Sequence, residues 1–138
     1  MRRLFGVIIG IVVANLTIFG SEYLGPSMPW GIPPVTVEDL SKPGTITAMP
    51  LAPQGWIVFG WFLGAFVGSF LAFRIARWDF AGFIVAALVA AAGVANLFIL
   101  PHPLWMSVCA VALPFVGATL AFGLYRRARA ADLHLRGQ

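Results

Sequence analysis

The feature that most constrains this chain is the apolar run from Gln54 to Arg77, which reads QGWIVFGWFLGAFVGSFLAFRIAR. No charged residue occurs between Gly55 and Phe73. At a rise of about 1.5 Å per residue, a helix of this length crosses the hydrocarbon core of a bilayer. Lipid offers the backbone no hydrogen-bond partners, so the run must satisfy its own amides as a helix. The run therefore predicts a membrane-spanning helix over about residues 55–75.

Small residues recur along this helix and along the first apolar run of the chain. Gly60, Gly64 and Gly68 are four residues apart and share one helix face, and Gly6 and Gly10 begin a similar stripe near the amino terminus. Such stripes let two membrane helices approach closely. Packing within the chain is the commoner use of such a stripe, and we favour it here; a pore lining or a dimer seam is the alternative. The first two spans are predicted to pack together.

Three further apolar runs have the length of a membrane span, at about residues 4–24, 80–100 and 104–126. The first is too long for a signal peptide and no Ala-x-Ala cleavage site follows it, so we expect it to be retained as a helix. The composition agrees, because 60% of the 138 residues are hydrophobic and 10% are charged. The sequence thus predicts an all-α bundle of four transmembrane helices in a single domain, 1–138.

The connection 25–53 differs from the rest of the chain because it holds seven of the ten prolines. Proline cannot continue a helix interior, so this segment is not one helix. Thr36, followed by Glu38 and Asp39, is typical of the N-terminal cap of a short helix, which Pro43 would end. Apolar residues are interspersed among the prolines, so we expect the proline-rich loop to fold over one end of the bundle.

The positions of the arginines predict how the bundle is oriented. Eight of the nine cationic residues flank apolar runs, at the amino terminus, after the second span and in the carboxyl-terminal tail; they are Arg2, Arg3, Arg74, Arg77, Arg126, Arg127, Arg129 and Arg136. By the positive-inside rule, both termini are cytoplasmic and the proline-rich loop is outside. The lipid bilayer is the expected partner. Because the arginines are divided among three helix ends, they do not form a nucleic-acid surface.

Four polar residues are candidates for function, because polar and ionisable side chains are costly in lipid. Asn15 and Glu22 share a face of the first span, Asn96 lies near the end of the third, and His102 follows it. If the first and third spans face each other, all four converge in the outer half of the bundle. Glu22 and His102 can then carry protons or hold a polar ligand or metal. In the structural alternative, which we favour, Glu22 bonds to the loop or pairs with Lys42, the asparagines join helices and His102 caps the turn.

No motif identifies a catalytic or cofactor site. The chain contains no GxSxG, HExxH, CxxC, phosphate loop or dinucleotide fingerprint. Cys109 is the single cysteine, so an internal disulfide is excluded. Two candidate ligands, Glu22 and His102, do not define a metal site, and we expect neither a metal nor a cofactor. The prediction is a non-enzymatic protein, and a membrane enzyme is the least favoured class.

Three stretches of the chain resemble an uncharacterised family of small bacterial four-helix membrane proteins. They are SEYLGPSMPWGIPP, beginning at Ser21, GWFLGAFVGSFLAFRIAR, and ANLFILPHPLW from Ala95 to Trp105. Members usually carry a histidine shortly after the glutamate, where this chain has Pro26, which argues against a Glu-His ligand pair on the first helix. The resemblance implies the four-helix fold and no activity. A bacterial inner (cytoplasmic) membrane is the expected location.

For function, the sequence favours an accessory or structural subunit that packs through small-residue helix faces, with copies of itself or in a larger membrane complex. The alternative is a small-molecule or ion transporter or channel that uses Glu22 and Asn96, with Pro114 as a kinked gate. Small multidrug exporters are similar in size, but their first-helix glutamate lies deep in the membrane. A water-accessible cavity holding Glu22 and Asn96 would favour transport, whereas a filled interior with exposed glycine grooves would favour assembly.

Overall fold

The computed structural model of this protein is a bundle of four long helices. It describes residues 1–29, 42, 44–100 and 102–136. The helices are α1 (Arg2–Leu24), followed by a 3-10 turn (Gly25–Ser27), the short α2 (Thr45–Ala48), α3 (Leu51–Ala76), α4 (Ala81–Ile99) and α5 (Leu104–Arg136). No strand occurs in the described ranges. The prediction of an all-α four-helix bundle is confirmed.

All four long helices have the length and apolar character needed to cross a membrane. Their outward faces carry large apolar side chains, including Leu16 at 64%, Phe19 at 65% and Phe98 at 89% exposure. Exposure on this scale is costly in water, whereas in a bilayer these side chains contact acyl chains. The architecture is that of a multi-pass membrane protein.

Two helices extend beyond the bounds predicted from the sequence. α3 begins at Leu51 rather than near residue 55, because Pro53 lies in its first turn, where no intrahelical N–H bond is lost. α5 continues to Arg136, so the basic tail extends the span predicted over residues 104–126 as a helix. The short helix predicted to begin after Thr36 lies outside the described residues. α2, which the sequence did not predict, places the buried Ile46 against the bundle.

α1 crosses α3 through the predicted glycine stripes. A Cβ added to Gly10 would lie 2.7 Å from the carbonyl oxygen of Gly68, and one added to Gly64 would lie 2.7 Å from that of Ala14. Real Cβ atoms do not approach backbone this closely, so the separation of the two helices requires glycine. The seam consists of Gly6 against Ala76, Gly10 against Gly68, Gly64 against Ala14 and Gly60 against Ser21. The glycine faces are therefore filled by packing inside the chain.

The bundle has two distinct ends, which we call the loop end and the arginine end. At the loop end, around Leu24, Leu51 and Leu104, the proline-rich loop joins α1 to α3. At the arginine end, around Ala76 and Ala81, α5 continues past the other helices. Near the arginine end the buried Ser69 hydroxyl of α3 donates to the carbonyl oxygen of Gly82 in α4 at 2.9 Å. This bond joins two helices without placing an unsatisfied polar group in lipid.

Candidate functional site

A cavity of about 400 Å³ lies between α1 and α4 in the loop-end half of the bundle. Three of the four polar candidates line it: Asn15 and Glu22 from α1, and Asn96 from α4. Trp61 of α3 and Ala110 of α5 form its back wall, and the remaining lining residues are apolar or glycine. This volume is within the range of small-molecule binding pockets.

The cavity exists because α4 contacts α1 at one end and leans towards α5 at the other. In the arginine-end half, a Cβ on Gly10 would meet Cγ2 of Val85 at 2.9 Å, so α1 and α4 are tightly packed there. In the loop-end half, a Cβ on Gly93 would lie 3.4 Å from Ala110, which places α4 against α5. α1 and α4 therefore separate towards the loop end, and the cavity fills the wedge between them.

The cavity opens sideways at the surface of the bundle. Phe19 and Leu88, on the two sides of its mouth, are 65% and 46% exposed. In a bilayer these two side chains contact acyl chains, so an apolar molecule can enter from the membrane. By helical rise, Glu22 lies about 3 Å and Asn15 about 14 Å from the loop end of α1. The polar groups thus run from the membrane surface towards its middle.

The polar side chains of the cavity have hydrogen-bonding capacity that contacts with the described residues do not satisfy. In the part of the chain that the structure describes, neither the Glu22 carboxylate nor the side-chain carboxamide of Asn96 has a hydrogen-bond or ion-pair partner. Asn15 Nδ2 donates to the carbonyl oxygen of Ile11, one turn earlier on its own helix, at 2.9 Å. Neither asparagine joins two helices, and Glu22 makes no ion pair with a described residue. Within the described residues, these three side chains do not make the bonds of the structural interpretation, and most of the loop to which Glu22 was expected to bond lies outside those residues.

His102, the fourth polar candidate, lies outside the cavity. Its Nδ1 is 2.6 Å from the carbonyl oxygen of Leu100 in the turn between α4 and α5. Because a carbonyl oxygen only accepts, Nδ1 is the donor in this contact. The imidazole also packs on Trp61, with ring centroids 5.9 Å apart. His102 therefore adjoins the cavity through Trp61, and the structure does not bring it together with Glu22.

The loop end of the bundle is fixed by side chains that the sequence analysis did not select. Gln54 is 3% exposed, and its Nε2 donates to the carbonyl oxygens of Ile46 and Met49, at 3.0 and 2.9 Å. Its Oε1 accepts a bond from Trp105 Nε1 at 3.2 Å, which connects α2, α3 and α5. A glutamine in the first turn of an apolar run was the available signal, since a buried amide requires partners.

The loop end of α1 is held by a bond from α3. Trp56 Nε1 donates to the carbonyl oxygen of Ser21 at 2.7 Å. The same carbonyl oxygen also accepts a bond from the backbone N–H of Gly25, so the indole is its second donor. This bond fixes the backbone directly before Glu22 and with it the side of the cavity on which the carboxylate lies.

Trp61 and Pro114 show the limits of the sequence interpretation. Trp61, adjacent to the Gly60 stripe, forms the back wall of the cavity, although a tryptophan within a span is usually a packing residue. In the transport alternative, the sequence makes Pro114 a candidate gate. It is fully buried within the continuous α5 and is not among the residues that line the cavity.

Neither a metal-binding cluster in the described part of the chain nor a known relative indicates what the site binds. Among the described residues, no three His, Cys, Asp or Glu side chains are close enough together to hold a metal ion. Comparison with known protein families, curated proteins and solved structures found no match to this chain. The geometry of the cavity is therefore the basis on which a function is inferred.

Proposed function

We propose that the protein is a small-molecule transporter whose substrate is an amphipathic molecule with a cationic or hydrogen-bond-donating head group. The observation that carries the proposal is that Asn15, Glu22 and Asn96 line one cavity. Two of these side chains lack a partner among the described residues, and burying unpartnered polar groups in lipid is costly unless a ligand uses them. The glycine grooves, which would have supported assembly, are filled within the chain.

The chemistry of the lining matches an amphipathic ligand. A carboxylate near the membrane surface attracts a cation or a hydrogen-bond donor, and the carboxamides of Asn15 and Asn96 both donate and accept. Along α1 the distance from Glu22 to Asn15 is about 10 Å by helical rise, so a ligand of that length contacts both. The apolar side chains between them favour an apolar body. The sideways mouth favours entry from the bilayer.

The position of the cavity also supports a direction of access. It is open in the loop-end half, whereas the contact between Gly10 and Val85 closes the space between α1 and α4 towards the arginine end. Transport then requires the two helices to part at this contact, as in alternating access. We propose that the protein resides in a bacterial cytoplasmic membrane with both termini inside, so that this form is open outwards.

A pair of probes with the same shape and opposite charge tests the substrate class. Equilibrium binding of tetraphenylphosphonium and of tetraphenylborate is measured on the purified protein in nanodiscs of neutral lipid. We expect the cation to bind and the anion not to bind. Glu22→Gln is expected to weaken cation binding about tenfold or more, because it removes the charged residue of the lining, and opposite charges about 8 Å apart attract by roughly 2 kcal/mol at an effective dielectric constant of about 20.

Asp79→Asn provides the matched control, since it removes one negative charge at the arginine end. It is expected to leave cation binding unchanged. Equal binding of the two probes, or equal losses in Glu22→Gln and Asp79→Asn, would contradict the proposed role of the cavity. Uptake into proteoliposomes, measured for the same variants, distinguishes transport from binding alone.

A second candidate function, assembly with copies of itself or within a larger membrane complex, is favoured by one exposed surface. Ala87, Ala91 and Ala95 are four residues apart on α4 and all are exposed. A small-residue stripe on the outside of a bundle allows another helix to approach closely. Association through it is compatible with a ligand in the neighbouring cavity.

A further inference from the structure

A second cavity, of about 260 Å³, lies at the arginine end, where α5 extends past the end of α3. It is lined by Arg74, Arg77, Tyr125, Arg129, Asp132 and Leu133. Three guanidinium groups and one carboxylate face the same space, so the lining is positively charged. It is at the opposite end of the bundle from Glu22, and its charge selects the opposite kind of ligand.

The carboxylates near this cavity do not satisfy all the hydrogen-bond donors of the arginines. Arg74 lies 4.0 Å from Asp132, and Arg129 lies 4.0 Å from Asp79 in the turn after α3. Both distances exceed the roughly 2.7–2.9 Å of a charge-assisted hydrogen bond. The side chains involved are between 47% and 63% exposed, so these pairs are loose and solvent-accessible. A stronger hydrogen-bond acceptor can displace these carboxylates from the arginines.

Of the three arginines that line the cavity, Arg77 has the most hydrogen-bonding capacity left for a ligand. It ends α3 in the left-handed conformation, with φ of 48°, and its backbone N–H donates to the carbonyl oxygen of Phe73 at 3.0 Å. Glycine is the usual residue at such a helix end. The guanidinium is exposed and has no hydrogen-bond or ion-pair partner among the residues that the structure describes. Its donors are therefore available to a ligand in the cavity.

Tyr125 lines the cavity with a buried aromatic ring and a hydroxyl group. The residue is 3% exposed and its ring stacks on Phe73, with centroids 5.7 Å apart. Its hydroxyl oxygen accepts a bond from Arg129 at 3.3 Å, which directs that guanidinium to the cavity. The hydroxyl hydrogen remains able to donate to an anion.

We propose that this cavity binds a phosphate group, supplied by the head group of an anionic phospholipid. Guanidinium groups match the geometry of phosphate oxygens, and three of them converge here on one small space. The cavity lies at the end of a membrane span, which is the depth of lipid head groups, and the exposed apolar side chain of Leu133 is at its rim. The bilayer is thus the nearest source of phosphate.

Native mass spectrometry of the full chain with phosphatidylglycerol and phosphatidylcholine tests this proposal. We expect one phosphatidylglycerol molecule to be retained, with phosphatidylcholine retained at least tenfold less. Arg77→Gln is expected to weaken retention about tenfold. Arg127→Gln is the matched control, because Arg127 is an exposed arginine of α5 that does not line the cavity, and it should not change retention.

A second arm separates the two sources of phosphate. Binding of inorganic phosphate is measured in neutral detergent, with and without added phosphatidylglycerol. Weak phosphate binding that the lipid displaces supports the lipid as ligand, whereas tight phosphate binding that Arg77→Gln abolishes and the lipid does not affect would overturn the lipid source. Equal losses in Arg77→Gln and Arg127→Gln, or no preference for the anionic lipid, would overturn the site itself.

Discussion

Gly10 of α1 and Gly68 of α3 lie opposite each other, each against the backbone carbonyl oxygen of the other. The contact sets the separation of the two helices. It also affects the ligand cavity, because a Cβ on Gly10 would meet Val85 of α4 as well. The point at which α1 contacts both neighbours is therefore the point from which α1 and α4 diverge.

Gly68→Ala is expected to destabilise the protein by about 1–3 kcal/mol, because the added methyl group overpacks a contact that cannot relax without moving a helix. Thermal unfolding in detergent measures this change. Gly20→Ala is the matched control, since nothing lies within 4 Å of a Cβ at Gly20. The larger Gly64→Leu should prevent folding. Equal melting temperatures for Gly68→Ala and Gly20→Ala would show that the seam is not tight.

Ser69→Ala is expected to cost about 1 kcal/mol of stability, because it removes the donor to the Gly82 carbonyl oxygen between α3 and α4. Ser107→Ala, the same chemical change, removes only a 3.4 Å contact to the carbonyl oxygen of Pro103, directly before its own helix, and should have a smaller effect. Both are compared by steric-trapping or thermal unfolding measurements. An equal or larger loss of stability in Ser107→Ala would show that the bond between α3 and α4 does not stabilise the bundle.

Ala91→Leu tests association through the exposed stripe of α4. If another helix packs on this stripe, the larger side chain should reduce the oligomer size in mild detergent, measured by light scattering. Ala112→Leu, at an exposed position of α5, should not change it. A wild-type protein that is monomeric in native lipid, with no partner in fixed ratio, would contradict the assembly function.

The proposed orientation predicts the labelling of cysteines by a membrane-impermeant maleimide in a Cys109→Ser background. Thr47→Cys, in the exposed part of α2, should react in intact cells. Arg127→Cys, at the arginine end, should react only after the membrane is permeabilised. The reverse pattern would place the termini outside and would invert the direction of access proposed for the cavity.

Particular residues show why the fold was more predictable than the site. The spacing of Gly60, Gly64 and Gly68 reports the periodicity of a helix, so sequence alone could indicate the face on which α3 packs. The cavity depends instead on the tilt of α4, which is set by Gly93 approaching Ala110, a contact between distant parts of the chain. Periodicity carries no information about such tilt.

Contacts that depend on the fold also explain why the sequence misplaced His102 and did not indicate Arg77 as a cavity residue. His102 is six residues from Asn96, yet the turn after Leu100 directs its ring to Trp61 rather than to the cavity. In the sequence Arg77 is one of several arginines that flank the spans, whereas in the structure it ends α3 with a left-handed backbone and lines a cavity with Arg129 and Tyr125. In both cases the local turn geometry decides where the side chain lies.

The most direct test of the ligand site is to block the cavity without changing its charge. Ala92 is an exposed residue that lines the cavity, so Ala92→Trp should block its mouth, whereas Ala112→Trp adds the same side chain at an exposed position of α5 that does not line it. Tetraphenylphosphonium binding is measured for both variants in nanodiscs. The account predicts at least a tenfold loss of affinity for Ala92→Trp and none for Ala112→Trp. Unchanged affinity in a folded Ala92→Trp protein would show that the ligand does not bind between α1 and α4.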